Sequence, residues 1–204
     1  AARAIREEGG RAWAFCADVR DRAALQTAVD AAVQDHGRIE VLINNAGIYP
    51  RRRLVEMTEA EWDQVQEINL KGTFHATQLV LPHMLRQKHG KIINISSVTF
   101  FTGREHLSHY VASKGGQTGF ARSLSREVGP EGINVNCITP GAVLVEAEAA
   151  VNTPEQIEQL MAMQSIKRRL VPEDIAKACF FLASSLSDGI TGQVLNVDGG
   201  RELH

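Results

Sequence analysis

Gly90-Lys91-Ile92-Ile93-Asn94-Ile95-Ser96-Ser97 is a short apolar run that ends in two hydroxyls. It is too short for a buried helix and reads as a strand over Lys91–Ile95. Upstream, Thr58 and Glu61 have the spacing of a capping box, and Met57 and Trp62 that of a hydrophobic staple, so a long helix starts at Thr58 and ends near Gly90. Downstream, the pattern is helical from His109 to Val128 and closes at Gly129-Pro130, after which Ile133, Val135 and Cys137 alternate as in a strand.

The same alternation continues outward in both directions. Asp21 opens a helix to His36, with Ala24, Leu25, Ala28, Val29, Ala32 and Val33 at helical spacing, and Ile39–Ile43 follows as a strand. Pro172, Glu173 and Asp174 begin a last helix, and Gln193–Val197 forms the last strand. Strands separated by helices of this length imply parallel pairing through right-handed crossovers, hence one doubly wound α/β domain over residues 1–204. In such a sheet ligands bind beyond the carboxyl ends of the strands, where Asp18, Asn45, Ser97 and Pro140 all fall. Position alone groups them around one crevice.

The 204 residues suffice for one sizeable core, and 22 basic against 24 acidic residues give no electrostatic reason to expect nucleic acid or a membrane surface. A small molecule is the expected partner. Cys16, Cys137 and Cys179 lie in apolar runs, are odd in number and show no metal-ligand spacing, which argues against a disulfide framework or zinc and for a reducing, cytoplasmic setting. No stretch approaches the run of about 20 apolar residues that a membrane span needs. His106 and His109 could be read as a metal pair, but no third ligand is spaced to join them, so no metal is expected. A Ser97/His109 hydrolase is weaker still, because no Gly-x-Ser-x-Gly elbow surrounds the serine.

Tyr110-Val111-Ala112-Ser113-Lys114 sets a phenol and an ammonium one helical turn apart. A phenol of ordinary pKa near about 10 is a poor base at neutral pH, but a close fixed cation stabilises the phenolate and can pull that value down. Together with Asn44-Asn45-Ala46-Gly47, Asn69 and Ser97, in this order and spacing, the chain resembles the short-chain dehydrogenase/reductases from Ala12 to Gly200.

The resemblance implies a Rossmann-like fold and NAD- or NADP-dependent hydride transfer to or from a secondary alcohol or ketone, by a homodimer or homotetramer. It implies Tyr110 as acid/base, Lys114 as the residue that lowers the pKa of Tyr110 and holds the nicotinamide ribose, and Ser97 as the hydrogen-bond partner of the substrate oxygen. Ser96 is the rival for that last role. Asn69 would hold a water against Lys114 and so link the site to solvent. Asp18 and Val19 would meet the adenine, although Asp18 reads equally well as an aspartate opening a helix. The backbone at Asn45, Ala46 and Gly47 would approach the cofactor, while Pro140, Gly141 and Val143 would contact the nicotinamide. Residues 144–169 correspond to a substrate-covering lid, and Phe100, Phe101, His106 and Leu107 are expected near the pocket. Gly115, Gly116 and Gly119, costly in a helix, suggest close approach of another element.

Two departures stand out. A threonine common four residues after Gly141 in the family is replaced by Val145, and the family's opening strand, glycine-rich turn and second strand have no counterpart before Ala12. Without strands one and two, Ala12–Ala17, which matches the third strand, has no neighbour, and Ile39–Ile43 becomes an apolar edge. We read the chain as a fragment of a longer protein in preference to a form with a rearranged N-terminal segment. The alternative function is a catalytically silent dehydrogenase-like scaffold or assembly subunit that binds no cofactor.

Overall fold

The structure, a computed structural model, describes residues 1–145 and 153–203. Four strands, β1 (Val41–Asn44), β2 (Gly90–Ile95), β3 (Ile133–Pro140) and β4 (Val194–Val197), form one parallel sheet in the order β1-β2-β3-β4. The register sets Ile92 beside both Leu42 and Val135, and Cys137 beside Val194. The helices are α1 (Ala2–Glu7), α2 (Arg22–His36), α3 (Glu59–Gln66), α4 (Gly72–Gln87), the single turn α5 (Thr99–Thr102), α6 (Ser108–Val128), α7 (Pro154–Ala162) and α8 (Pro172–Ala183). The expected α/β class and parallel order hold.

Strand β2 is buried along its whole length and feeds two cores by alternation. Ile92 joins Val80, Met84, Leu124, Val128 and Val135 under α4 and α6, whereas Ile93 and Ile95 join Ile138 and Leu182 under α8. Helices therefore cover both faces of the sheet. The caps read from sequence are present: the Asp21 carboxylate accepts from the amides of Ala23 and Ala24, and Thr58 and Glu61 bond reciprocally.

One helix differs from expectation. The helix expected from Thr58 to near Gly90 is α3 and α4 joined by a π turn at Glu67–Lys71, and Asn69 lies in that turn. Residues 12–17 join no strand ladder, because an isolated strand has no partner for its amides and carbonyls; Trp13 and Phe15 stay half exposed, with Trp13 stacked edge-on against His36 at 4.3 Å. As expected from that missing neighbour, β1 is an edge strand, and Ile43 is 44% exposed. Part of the expected lid, residues 146–152, lies outside the described residues. The flanks of that segment are joined, since the Leu144 amide donates to the Leu170 carbonyl at 2.8 Å.

The close approaches implied by the glycines occur within the chain. A Cβ on Gly115 would stand 3.0 Å from Phe100 and one on Gly116 2.7 Å from Leu70, while Gly119 faces open space. Gly72, just after the π turn, is similarly constrained: a Cβ there would stand 2.8 Å from Val19 Cγ2, and Val19 has little rotamer freedom to yield. Alanine gains about 1 kcal/mol over glycine in a helix, whereas overpacking costs about 1–3 kcal/mol. Gly72→Ala should therefore destabilise the protein, and the same change in a Val19→Gly background, which removes both Val19 Cγ2 and the Val19 Cβ that would stand at 2.9 Å, should stabilise it. Urea titration of the four proteins would reveal the reversal of sign, and a Gly72→Ala effect identical in both backgrounds would contradict the packing described.

Candidate active site

Beyond the carboxyl ends of β2 and β3 lies a cavity of about 340 Å³ whose walls include Ser97, Tyr110, Lys114, Asn45 and Gly47. Strand β2 delivers the two serines, and the structure distinguishes them. The Ser96 hydroxyl donates to the Lys114 carbonyl at 2.9 Å and so ties β2 to α6. The Ser97 oxygen accepts from the amide and hydroxyl of Thr99 at 3.2 and 2.9 Å, which leaves its own proton to be donated within the cavity that Tyr110 also lines.

Tyr110 and Lys114 share one face of α6, yet the ammonium is not aimed at the phenolic oxygen. Lys114 is 4% exposed, and its Nζ donates to the Ile95 carbonyl at 2.6 Å and to Gln117 Oε1 at 3.2 Å, with the Tyr110 ring centroid 5.6 Å away. Burial pushes the lysine down to about 8. Burial also pushes the Tyr110 phenol above its ordinary 10.0, against the opposing pull of the Ser97 hydrogen bond, and Tyr49, its ring 5.9 Å away, adds to the rise. The lowered phenol pKa expected from the sequence is thus reversed in this geometry, because desolvation outweighs a cation that is directed elsewhere.

Asn69 is held by direct hydrogen bonds. Its side-chain amide donates to the Ile48 carbonyl and to Ser113 Oγ, and its Oδ1 accepts from the Ile48 amide at 2.8 Å. The Asn69 carbonyl, displaced by the π turn, accepts from Gln117 Nε2 at 2.8 Å and Thr73 Oγ1 at 2.9 Å. Gln117, fully buried, therefore bridges Lys114 and Asn69 directly, in the place where the sequence suggested a water. Sequence reasoning missed Gln117. Its only signal was its position three residues after Lys114, on the same helix face.

Of the expected cofactor contacts, Asn45, Gly47, Pro140, Gly141 and Val143 line the cavity, as does Val145, where the family's threonine would stand. A Cβ on Gly47 would lie 3.3 Å from Asn69 Oδ1 and 3.5 Å from Lys114 Nζ, so glycine leaves room at that wall that a side chain would narrow. Ala46, Asp18 and Val19 are not part of the cavity lining. Asp18 pairs with Arg20 at 2.6 Å, which holds its carboxyl down to about 2, and Val19 packs toward Gly72. Asn44 braces the sheet, donating to Asn94 Oδ1 and Thr77 Oγ1. Leu107 lines the cavity, whereas Phe100 packs on Gly115 and against Phe101. His109 is fully buried, with neither ring nitrogen hydrogen-bonded among the described residues.

Residues 1–202 match the family model described as enoyl-(acyl carrier protein) reductase. The 3-oxoacyl-[acyl-carrier-protein] reductase FabG of Thermotoga maritima is 38% identical over 192 residues, covering 94% of this chain and 77% of its own length. The short-chain reductase NovJ of Streptomyces niveus is 41% identical over 204 residues, with 97% of this chain and 78% of NovJ covered. A crystal structure of 3-oxoacyl-[acyl-carrier protein] reductase from Brucella melitensis superimposes with a TM-score of 0.90 at 33% identity, covering 98% of this chain and 75% of that one. The chain belongs to the short-chain dehydrogenase/reductase family. It is an oxidoreductase of that family, whose reaction is NAD(P)-dependent hydride transfer involving a ketone or an alcohol.

The lysine shift has a thermodynamic consequence. With a folded value of about 8 against an ordinary 10.5, Lys114 is protonated in the unfolded chain but not in the folded one across that window. Stability should accordingly rise with pH between about 8 and 10.5 through this group. Lys114→Met should lack that increment when wild type and variant are compared by urea unfolding at both ends of the window. Gln117→Leu, which removes an acceptor of the charged form, should move the window to lower pH. A constant difference between wild type and Lys114→Met would refute the buried-ammonium assignment.

Proposed function

We propose that Tyr110 is the acid/base of the hydride transfer, that Ser97 holds the substrate oxygen, that Lys114 meets the nicotinamide ribose, and that Asn69 with Gln117 positions Lys114. The observation that carries this reading is that Ser97, Tyr110 and Lys114 line one cavity beyond the carboxyl end of β2, with the Ser97 proton uncommitted to Thr99. Lys114 commits two of its three protons to protein acceptors, which leaves one donor for a ligand. The open wall at Gly47 and the segment Pro140, Gly141 and Val143 suit the flat nicotinamide end of NAD or NADP. When bound, the nicotinamide supplies or accepts the hydride.

The residues of the chain then handle the proton. In reduction Tyr110 gives its phenolic proton to the carbonyl oxygen, and Ser97 hydrogen-bonds the same oxygen as negative charge develops on it. In oxidation both steps run in reverse. A phenol raised above its ordinary pKa carries its proton at neutral pH, as the reductive direction requires. Relatives named as 3-oxoacyl-thioester reductases have that direction.

Asp18 and Val19 are assigned to the adenine end, where the Asp18 carboxylate would have to leave Arg20. The segment 144–169 is assigned as a lid, with Leu160 of α7 already against the cavity. A homodimer or homotetramer is supported by the exposed aromatic rings of Trp62 on α3 and Phe74 on α4. The three free cysteines support a cytoplasmic setting.

Tyr110→Phe should reduce kcat about 10²-fold or more while leaving nucleotide affinity by calorimetry within a few-fold of wild type. Near-normal turnover in that variant would refute the acid/base assignment. Absence of any nucleotide binding by the unaltered protein would instead favour the silent-scaffold alternative.

A further inference from the structure

The backbone fixes Ser97 on both sides. The Ser96 amide donates to the Ile138 carbonyl at 2.8 Å and the Val98 amide to the Pro140 carbonyl at 3.1 Å, so the bonding between β2 and β3 runs on past the serine. The Ser97 carbonyl accepts from the Phe100 amide at 3.0 Å as the chain enters α5. Phe100 in turn meets α6 at Gly115, where a Cβ would stand 3.0 Å from its ring. Thr99 sits between these fixed points.

Thr99 makes two hydrogen bonds to Ser97, and both run in the same direction. Its amide donates to Ser97 Oγ at 3.2 Å, and its hydroxyl donates to the same oxygen at 2.9 Å. The first is the local bond that a serine oxygen forms with the amide two residues on. The second exists only because residue 99 carries a hydroxyl, and the branched Cβ of threonine restricts the rotamers from which that hydroxyl can point. A serine oxygen has two acceptor sites and one proton. Thr99 fills both acceptor sites. What Ser97 has left to offer is its proton, on a side chain that is buried and lines the cavity with Tyr110 and Lys114.

We propose that Thr99 is a positioning residue for the hydride transfer, one that makes Ser97 a hydrogen-bond donor only and directs its proton at the substrate oxygen. The proposal rests on the reading of Ser97 as the group that holds that oxygen, and adds the residue that aims it. In reduction the donors run in series from the Thr99 hydroxyl through the Ser97 hydroxyl to the carbonyl oxygen. Each bond polarises the next, so the last one strengthens as negative charge develops on the oxygen that takes the Tyr110 proton. In oxidation the alcohol O–H finds no acceptor in Ser97, and its proton passes to the Tyr110 phenolate while Ser97 keeps its own. A reacting group that presents N–H and no lone pair, such as a protonated imine, would meet a donor with a donor. The site therefore selects oxygen, as ketone or alcohol, over nitrogen.

Thr99→Val removes the hydroxyl at similar volume and keeps the amide, and Thr99→Ser keeps both. Each cycle with Ser97→Ala is read twice, by urea unfolding and by turnover of an acetoacetyl thioester, ethyl acetoacetate and acetophenone with NADH and NADPH. Thr99→Val should lower the urea midpoint of wild type and leave that of Ser97→Ala unchanged, because the bond it deletes is already gone there. It should lower kcat about three- to tenfold with nucleotide affinity unchanged. In Ser97→Ala, itself slower by about a hundredfold or more, it should have no further effect, and Thr99→Ser should retain most of the wild-type rate. Equal effects of Thr99→Val in the two backgrounds, by either reading, would overturn the proposal and leave the oxidoreductase reading standing. Coupling in urea with an undiminished rate in Thr99→Val would also overturn it, since the bond would then exist without serving the reaction. Absence of turnover by wild type would count against the oxidoreductase reading, and the urea cycle would then decide alone whether Thr99 occupies the Ser97 acceptors.

Discussion

The site is organised around one buried ammonium. Removing a lysine charge from water costs several kcal/mol unless nearby acceptors replace the solvent, and around Lys114 those acceptors come from two elements. The last carbonyl of β2, that of Ile95, takes the shortest hydrogen bond, and Gln117 on the next turn of α6 takes another. The backbone of Lys114 is equally constrained, since its carbonyl accepts from Ser96 and Thr118. With Lys114 held at both ends, the rest of the site follows. Gly47 keeps clear of Asn69 and the lysine, the Asn69 carbonyl accepts from Gln117, and Ser96 is occupied structurally, which leaves Ser97 to face the cavity.

The π turn belongs to the same constraint. One extra residue between α3 and α4 takes the Asn69 carbonyl out of the regular helical ladder, and Gln117 and Thr73 satisfy it from outside. Through its hydrogen bond Gln117 fixes the location of Lys114, while burial lowers the lysine's pKa.

Much of this was legible in the sequence where the controlling interactions are local. The two caps depend on residues a few positions apart, and both were read correctly. The apolar run of β2 announced itself through composition, and the alternation of strands with helices settled the parallel sheet. The π turn was not legible, because a single inserted residue shifts the helical phase too little to show against a mixed helix of polar and apolar residues. Gln117 was hidden because a glutamine on a helix has the same signature whether it is solvated or buried under a lysine. Asp18 was seen as an acceptor for a ligand, but a partner two residues away, Arg20, competes for its carboxylate at close range. Residues 12–17 have the pattern of a strand, and their lack of a partner follows from the strands that the sequence does not supply beside them.

The division between local and long-range order also separates the two ends of the site. Ser97, Tyr110, Lys114 and the Pro140–Val143 wall are set by β2, β3 and α6, whose facing residues are almost fully buried. The segment carrying Asp18 and Val19 leans on α2 and on the π turn through side-chain packing at Trp13 and Val19, and its own backbone joins no ladder. A perturbation of residues 12–19 therefore reaches Tyr110 only by way of Val19, Gly72 and the π turn that holds Asn69. Because Asn69 is tied independently to Ile48, Ser113 and Gln117, that path ends in a rigid cluster. The cluster of Ser97, Tyr110 and Lys114 is thus preorganised by the core, whereas residues 12–19 are held mainly by side-chain packing.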